Sequence, residues 1–374
     1  MTARMLRLAG TILATAALAA CASGPERPKP AELQPNAALI GVRLAWSVNL
    51  GAVAYPLQSG VSEQSVALAA GDGTVLVLNA ANGAEVWRGS AGGPLAAGVG
   101  FDGRTAAVVT RGNELVTLDS GRVLWRQKLA AQAFTAPLVA GGRVFVLAAD
   151  RSVSAFDGSS GRRLWSQTRP GDPLVLRQSG VILAVGDTLV VGLSGRLVGL
   201  NPSNGSVRWE APVATPRGTN EIERLVDLVG RVSRVGDVVC TRAFQAAVGC
   251  VNAARGSVLW SKPSNGAEGV HGDADRVYGT EADGKVVAWR RNDGERAWMS
   301  ERLQYRGLTA PLVVGRSVAI GDSAGFVHLL SRADGSLLTR LSTDGSAIAA
   351  APVLAGNTLV VVTRAGRVYG YTPE

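Results

Sequence analysis

Short apolar runs alternate with turn residues along most of the chain. The stretch DGTVLVLNAANGAEVWR, residues 72–88, is representative, because TVLVLN is apolar, NAANG is a turn sequence and AEVW begins another apolar run. Runs rich in Val and Leu that are bounded by Gly, Asn and Asp predict short β-strands. Gly83 can adopt the positive φ that a tight turn needs. The pattern therefore predicts strand, turn and strand.

The same phrase recurs about every forty residues. A turn with glycine is followed shortly by tryptophan at Trp87, Trp125, Trp165, Trp209, Trp260 and Trp298. Trp46 precedes the first full unit and Thr339 takes the next expected position, with intervals of 41, 38, 40, 44, 51, 38 and 41 residues. A period near forty with four short strands per unit is typical of a β-propeller blade. We expect each indole to fill the wedge between neighbouring blades, which must cover each other's faces.

The two chain ends predict how the ring closes. The last unit, NTLVVVTRAGRVYGYTPE, lacks an outer strand, whereas VRLAWSVNL near the N-terminus is an outer strand without inner ones. Pairing them completes a blade and removes a free sheet edge. We therefore expect an all-β fold over residues 39–374, an eight-bladed β-propeller of four-stranded antiparallel blades. Seven blades with a separate N-terminal strand is the alternative. In the first full unit, AVAYPL is expected innermost, followed outwards by SVALAAG, TVLVLN and AEVWRG.

The composition fits a large, turn-rich β protein and limits its metal chemistry. Hydrophobic residues make up 47% of the 374 residues, and 47 residues are Gly. Only two histidines are present, His271 and His328, which argues against a multi-histidine metal site. Neither has the sequence context of a Ser-His-Asp hydrolase. We interpret His328 as a packed strand residue and His271 as a loop cap that opens the second strand of its unit.

The first twenty residues have the features of a targeting signal. Arg4 and Arg7 precede LAGTILATAALAA, which is too short to span a bilayer as a permanent helix. LAAC, residues 18–21, resembles a bacterial lipobox, which implies cleavage before Cys21 and lipidation of its thiol. An ordinary signal peptide with an incidental cysteine is the alternative. Ala22 follows instead of an inner-membrane retention Asp, which implies the periplasmic face of the outer membrane. Residues 21–38 are expected to form the lipidated cysteine and a Pro-rich tether.

The charge of the chain changes this interpretation little. Residues 1–20 contain two of the 38 basic residues and none of the 29 acidic ones, so the remainder carries a formal net charge of +7. Lys and Arg are scattered, without a run of five. This distribution indicates a solvated surface that favours an acidic partner or anionic lipid and does not favour nucleic acid.

The other two cysteines, Cys240 and Cys250, are expected to face each other. Aligning Gly256 with Gly83 places them symmetrically about a hairpin, on one face of two adjacent strands. Directly opposed residues lie roughly 4.5–5.5 Å apart, within disulfide range. In an oxidising compartment we expect a disulfide. Two buried free thiols are the alternative.

Two intervals are longer than the rest because of extra residues in segments 166–180 and 211–231. Each lies between an outer strand and the next innermost strand, and all such connections emerge on the same face of a propeller. We expect the two segments to be neighbours that carry recognition. Their chemistry-bearing residues form either a patch with an apolar centre and directional charge, or core leucines with a solvated rim. These residues are Leu174, Leu176 and Arg177 in PLVLR, and Glu221, Glu223, Arg224 and Asp227 in NEIERLVDL.

Together, the lipobox, the Pro-rich tether, the Trp-marked blades, PLVLR and NEIERLVD resemble the BamB family, the lipoprotein propellers of the outer-membrane β-barrel assembly machinery. The resemblance spans essentially the whole chain. It implies that the L-x-L-R segment and the acidic segment bind a periplasmic POTRA domain of BamA, through Leu174, Leu176, Arg177 and Asp227. The family often has a second acid where this chain has Val229, so that contact is lost here or is replaced by Glu221 or Glu223.

The resemblance implies a non-catalytic scaffold that needs no cofactor. Its expected partners are BamA, through it the assembly complex, and unfolded outer-membrane protein precursors. A PQQ-dependent dehydrogenase is the enzymatic alternative on the same propeller. Enzymes of that kind are typically longer chains, with loops that cover the cofactor, a bound calcium and often adjacent cysteines. This chain has little sequence beyond the blades and no Cys-Cys pair. A periplasmic propeller that binds some other ligand is the third alternative.

Overall fold

The computed structural model describes residues 28–53, 57–169, 174–216, 219–220 and 224–374. Across these residues, 32 strands form eight four-stranded sheets. Neighbouring strands in each sheet are antiparallel, as in the pairs Gly60–Ser62 with Ser65–Ala69 and Thr358–Val362 with Arg367–Pro373. The predicted eight-bladed β-propeller is confirmed. The predicted signal peptide and Cys21 lie outside the described residues.

Each of blades 1 to 7 is a continuous stretch of chain that runs from the innermost strand to the outermost. Blades 1 to 4 are formed by β2 (Gly60–Ser62), β3 (Ser65–Ala69), β4 (Thr74–Asn79) and β5 (Glu85–Ser90); β6 (Gly100–Phe101), β7 (Thr105–Val109), β8 (Glu114–Asp119) and β9 (Arg122–Lys128); β10 (Leu138–Ala140), β11 (Arg143–Leu147), β12 (Ser152–Asp157) and β13 (Arg163–Thr168); and β14 (Ile182–Val185), β15 (Thr188–Leu193), β16 (Arg196–Leu200) and β17 (Val207–Pro212). Blades 5 to 7 are formed by β18 (Leu228–Val235), β19 (Val238–Ala243), β20 (Ala247–Asn252) and β21 (Ser257–Pro263); β22 (Val270–Gly272), β23 (Arg276–Thr280), β24 (Val286–Arg290) and β25 (Arg296–Ser300); and β26 (Leu312–Val314), β27 (Ser317–Gly321), β28 (Phe326–Ser331) and β29 (Leu337–Ser342).

Blade 8 is built from both chain ends. Its inner strands are β30 (Val353–Ala355), β31 (Thr358–Val362) and β32 (Arg367–Pro373), and its outermost strand is β1 (Val42–Asn49). β1 and β32 are antiparallel partners from Val42↔Pro373 to Asn49↔Arg367. This pairing closes the ring as the chain ends predicted.

The second and third strands of a blade form its core because neighbouring blades cover both of their faces. In blade 1, the last four residues of β3 are buried, and so are the four central residues of β4. The residues of β5, in contrast, are exposed or half-buried. Continuous apolar runs are therefore found in the middle strands, and alternating patterns at the rim.

The recurring tryptophans pack between blades, and the recurring glycines explain why they fit. Trp46 Nε1 donates to the Ala80 carbonyl of blade 1 at 2.8 Å. A Cβ on Gly83 of that blade would lie 2.6 Å from the Trp46 indole. The glycine of one unit therefore contacts the tryptophan of the preceding unit. The same contact joins Trp125 to Gly161, Trp165 to Gly205, Trp209 to Gly256, Trp260 to Gly294 and Trp298 to Gly335.

Two expected strand positions were wrong. The innermost strand of blade 1 is Gly60–Ser62, after AVAYPL, of which residues 54–56 lie outside the described part. His271 lies in the innermost strand of its blade, β22, and not at the start of the second strand. Both errors concern the shortest strands, whose two or three residues carry too little pattern to locate.

Part of the predicted tether lies against the body of the protein. We call residues 31–39 the N-terminal strap, and its residues 34–39 run antiparallel to the exposed edge of β29. The Leu39 amide donates to the Leu338 carbonyl at 2.7 Å, and Asn36 bonds to both the amide and the carbonyl of Arg340. At the other end, the Ala31 amide donates to the Gln304 carbonyl at 2.9 Å. The part of the chain that could act as a tether therefore ends before residue 31.

Candidate protein-interaction site

The two longest connections between blades meet at one end of the ring. Loop A, residues 169–181, joins β13 to β14, and loop B, residues 213–227, joins β17 to β18. The Leu176 amide of loop A donates to the Asp227 carboxylate of loop B at 3.0 Å. Both loops leave an outermost strand and enter an innermost one, so they emerge on the same face. The expectation that they are neighbours is confirmed.

The predicted segments were too wide at their ends. Residues 166–168 and 211–212 belong to outer strands β13 and β17, and residues 228–231 begin the innermost strand β18. Val229 is one of these strand residues and is fully buried. The BamB family often has a second acid at this position. A buried valine cannot replace that surface acid, so position 229 does not supply an acidic contact.

The backbone of loop A is hydrogen-bonded to the connection between blades 2 and 3 and to blade 3. The Gly180 amide donates to Thr135 Oγ1 at 2.9 Å. The buried guanidinium of Arg151 donates to Ser194 Oγ at 2.7 Å and approaches the Leu174 carbonyl at 3.4 Å. Arg151 therefore joins the hairpin of blade 3 to loop A and to blade 4. Sequence reasoning missed it, because nothing in its local sequence distinguishes it from other hairpin arginines.

The L-x-L-R residues form a mixed surface. Leu174 and Leu176 are half-buried, whereas Arg177 is exposed. The Arg177 guanidinium lies 5.4 Å from the centre of the Phe134 ring, within cation–π range. Stacking on Phe134 holds the charge at the surface in a defined place. Phe134, like Arg151, was not identified from the sequence.

A small cavity of about 60 Å³ lies where the loops join the blades. Leu176 and Asp227 contribute to its wall together with Phe134 and Arg151. The arrangement provides partly covered leucines, a stacked cation and a carboxylate that is already bonded to the other loop. It is suited to binding another surface.

The acidic part of loop B is only partly described. Arg224 is exposed, and its amide donates to the Asn220 carbonyl at 3.2 Å. Glu221 and Glu223 lie outside the described residues. The structure therefore brings together Leu174, Leu176, Arg177 and Asp227, and the position of the two glutamates relative to them stays a prediction.

The histidines are internal structural groups. His328 is buried, and its Nε2 lies 3.0 Å from the Asp322 carboxylate, which also accepts from Arg306. Burial lowers the pKa of His328, and the bond to Asp322 acts against this. His271 Nδ1 accepts from the Val313 amide of blade 7 at 3.0 Å. No cluster of three or more His, Cys, Asp or Glu that could hold a metal occurs in the described part of the chain.

Cys240 and Cys250 are direct partners in the pairing of β19 with β20, as expected. Their Cα atoms are 4.0 Å apart, and a disulfide joins them in the structure. Oxidation of the pair in the cell stays a prediction, which mass spectrometry of the unreduced protein tests.

Fold and site together define a class, an eight-bladed propeller whose two enlarged connections meet at one end of the ring. Residues 71–300 match the family model described as outer membrane protein assembly factor BamB. The chain is 38% identical over 361 residues to the BamB of Burkholderia pseudomallei, covering 95% of each. The chain therefore belongs to the BamB family.

Solved structures share the same fold. The crystal structure of BamB from Moraxella catarrhalis matches with a TM-score of 0.80 and 26% identity, over 88% of this chain and 99% of that one. A quinohemoprotein alcohol dehydrogenase from Comamonas testosteroni matches with a TM-score of 0.68 and 15% identity, over 92% of this chain and 79% of that one. The second similarity shows the fold alone.

Proposed function

We propose that the protein is a non-catalytic scaffold subunit of the machinery that assembles outer-membrane proteins. Its membership of the BamB family supports this role, because relatives with that name are described as outer membrane protein assembly factors. In this proposal, lipid on Cys21 holds the protein at the periplasmic side of the outer membrane. Its loop surface binds a POTRA domain of BamA, and through BamA the assembly complex. Unfolded outer-membrane protein precursors are further candidate partners.

The bond between the Leu176 amide and the Asp227 carboxylate is the observation that best supports a binding role for loops A and B. A hydrogen bond to a charged acceptor typically contributes about 1.5–3 kcal/mol. This bond orders the L-x-L-R segment before a partner arrives, so less conformational entropy is lost on binding. The segment offers half-buried leucines for an apolar groove of the partner and Arg177 for a carboxylate beside it.

The first test is binding between the purified mature chain and the POTRA region of BamA, measured by calorimetry. We expect Arg177→Glu to weaken binding at least about tenfold, because the partner's carboxylate would then face a like charge. Leu174→Ala should weaken it further by removing apolar contact. Arg255→Glu is the matched control, since Arg255 is exposed in the hairpin between β20 and β21, which lies at the other end of the blade.

Two results would count against the site. Equal loss in the Arg255→Glu control would point to overall charge instead of a defined contact. Undiminished binding by the Arg177→Glu, Leu174→Ala double variant would remove loop A from the interface. Absence of binding by the unmodified chain would reject BamA as the partner.

A further inference from the structure

The innermost strand of blade 5 differs from those of the other blades. β18 has eight residues, whereas the other innermost strands have two to four and contain no Asp, Glu, Lys or Arg. Val229 pairs with Arg242 and Ser233 with Cys240, so four steps along β18 match two along β19. The extra residues form a bulge that contains Arg231. Bulges frequently redirect a side chain next to a functional site.

Arg231 extends across the central channel of the ring. Its guanidinium donates to the carbonyl of Pro352, which immediately precedes the innermost strand of blade 8, at 2.5 Å. A cavity of about 240 Å³ lies beside it, lined by residues of blades 1, 4, 5 and 8. Gln58, which precedes blade 1, and Val181, the last residue of loop A before blade 4, contribute to this lining. Blades from opposite sides of the ring meet here, so the cavity is central.

Close approach of the surrounding backbone sets the position of Arg231. A Cβ on Gly269 would lie 2.1 Å from the Arg231 amide nitrogen, and a Cβ on Gly230 would lie 2.8 Å from Gln58 Nε2. Only glycine fits at these two places. The Gly230 amide also donates to the Ser179 carbonyl at 2.8 Å. The bulge is therefore held by neighbouring blades, and Gln58 Nε2 lies beside Gly230, the residue that precedes Arg231.

Within the described part of the chain, the charge of Arg231 is not balanced by a carboxylate. Its side-chain bond within these residues is to the neutral Pro352 carbonyl, so most of its five N–H donors have no protein partner. Burial lowers the pKa of Arg231 to about 10, so the group is still charged at pH 7. The side chain nevertheless stays partly accessible from the channel.

Nearby titratable groups do not supply the missing negative charge. Burial, together with Arg231 and Arg291, lowers the pKa of His271 to about 3, so this imidazole is neutral at pH 7. Glu268, whose pKa is raised by burial, interacts with Arg242 and not with Arg231. Asp273 is paired with Arg332. An unbalanced charge at depth is costly unless an anion or water accompanies it.

We propose that the central channel binds a small anion with a carboxylate or phosphate group, held by the Arg231 guanidinium and the Gln58 amide. The planar fork of an arginine matches both groups. The cavity is smaller than most drug-sized sites, which span roughly 300–1,000 Å³, so the ligand is a small one. This site lies beyond the proposed scaffold function and does not depend on the partner of loops A and B.

The experiment uses the mature chain in thermal melts and calorimetry, with citrate, inorganic phosphate and chloride compared at equal ionic strength and pH 7. We expect a saturable rise in melting temperature with citrate or phosphate and none with chloride. A rise with citrate identifies a carboxylate as the bound group, and a rise with phosphate identifies a phosphate. Arg231→Gln should abolish the rise, whereas Arg255→Gln, on the exposed hairpin, should keep it.

A purely structural bond between blades 5 and 8 predicts a different result. Arg231→Gln would then lower the melting temperature without ligand and leave the response to citrate and phosphate unchanged, which would overturn the proposal. An unmodified chain with no saturable response would overturn it too. If Arg231→Gln does not fold, Arg231→Lys replaces it, since a lysine keeps the charge but lacks the fork. Its affinity should fall at least about tenfold, and unchanged affinity would contradict the assignment.

Discussion

At the scale of single residues, Asp227 has a structural role, because it joins loop B to loop A. The resemblance to the BamB family implied a direct contact with the partner, yet in the structure the carboxylate accepts from the Leu176 amide. Its first effect is to position loop A. In the proposed interface, this geometry would let Asp227 influence binding through the leucines and Arg177 without touching the partner.

Asp227→Ala and Asp227→Asn separate these two roles. Alanine removes the acceptor, so we expect affinity for the POTRA region to fall about tenfold. Asparagine keeps an oxygen that can accept from the Leu176 amide, so most of the affinity should return. Calorimetry measures both. Equal losses in the two variants would show that the negative charge itself is needed, and would assign Asp227 to direct contact.

His271 should make the propeller less stable in acid. Its pKa is lowered to about 3 in the folded chain, against roughly 6.5 when unfolded. The unfolded state therefore binds a proton more readily below pH 6.5, and the stability due to this group is lost as the pH falls from there towards 3. Between pH 7 and pH 5 the expected loss is about 2 kcal/mol. Protonation of Nδ1 would also end its bond with the Val313 amide.

Urea unfolding of the wild-type chain and His271→Gln at pH 7 and pH 5 tests this. The variant should lose about 2 kcal/mol less over this range. Because both proteins share every other titrating group, the difference between them isolates His271. Identical pH dependence would mean that this imidazole titrates normally.

At the scale of elements, every blade ends in an outermost strand that bears a bulge. The pairing of the third and fourth strands shifts next to the repeated tryptophan, as at Trp87 in blade 1 and Trp125 in blade 2. The unpaired residue points outwards, which explains the exposure of Val86 and Leu124. Bulges twist an edge away from further pairing. These exposed apolar residues are therefore a consequence of blade geometry and do not by themselves indicate a partner.

In blade 7, the N-terminal strap also covers the outer edge of β29, where Asn36 bonds to the backbone of Arg340. Asn36→Ala removes two hydrogen bonds to the Arg340 backbone, so we expect a loss of about 1 kcal/mol and faster amide exchange in β29. Hydrogen-exchange mass spectrometry and urea unfolding measure the two effects. Asn292→Ala, at an exposed asparagine, is the control. If β29 exchanged no faster in Asn36→Ala, the strap would not be a stable part of blade 7.

At the scale of the whole molecule, stability depends on closure of the ring between β1 and β32. Removing residues 367–374 would unpair β1 and expose the faces of blades 7 and 1. We expect loss of a cooperative transition and aggregation, because a ring with a missing sheet presents open edges. Circular dichroism melts and size-exclusion chromatography follow both effects. Removing Glu374 alone should change little, and an unaffected melting transition in the longer deletion would contradict closure as the source of stability.

Much of this architecture is encoded locally. The forty-residue period, the turn glycines and the tryptophans determine the blades, and incomplete units at the two ends determine that one blade is shared. Loop adjacency follows as well, because consecutive blades in a ring are neighbours and connections of one kind share a face. Each of these features depends only on repetition along the chain, which sequence patterns record directly.

Other features depend on contacts between residues far apart in the sequence. The Asp227 carboxylate meets the Leu176 amide, Arg231 crosses to Pro352, Phe134 stacks on Arg177, and the strap covers β29. No repeat or spacing specifies these pairs, because each depends on how a side chain is oriented once the ring has closed. The sequence by itself determined the propeller and the place where its two longest connections meet, because both follow from repetition along the chain. Tertiary structure alone decided which groups in those connections are bonded to each other and which charge faces the channel, because these depend on side-chain orientation in the closed ring.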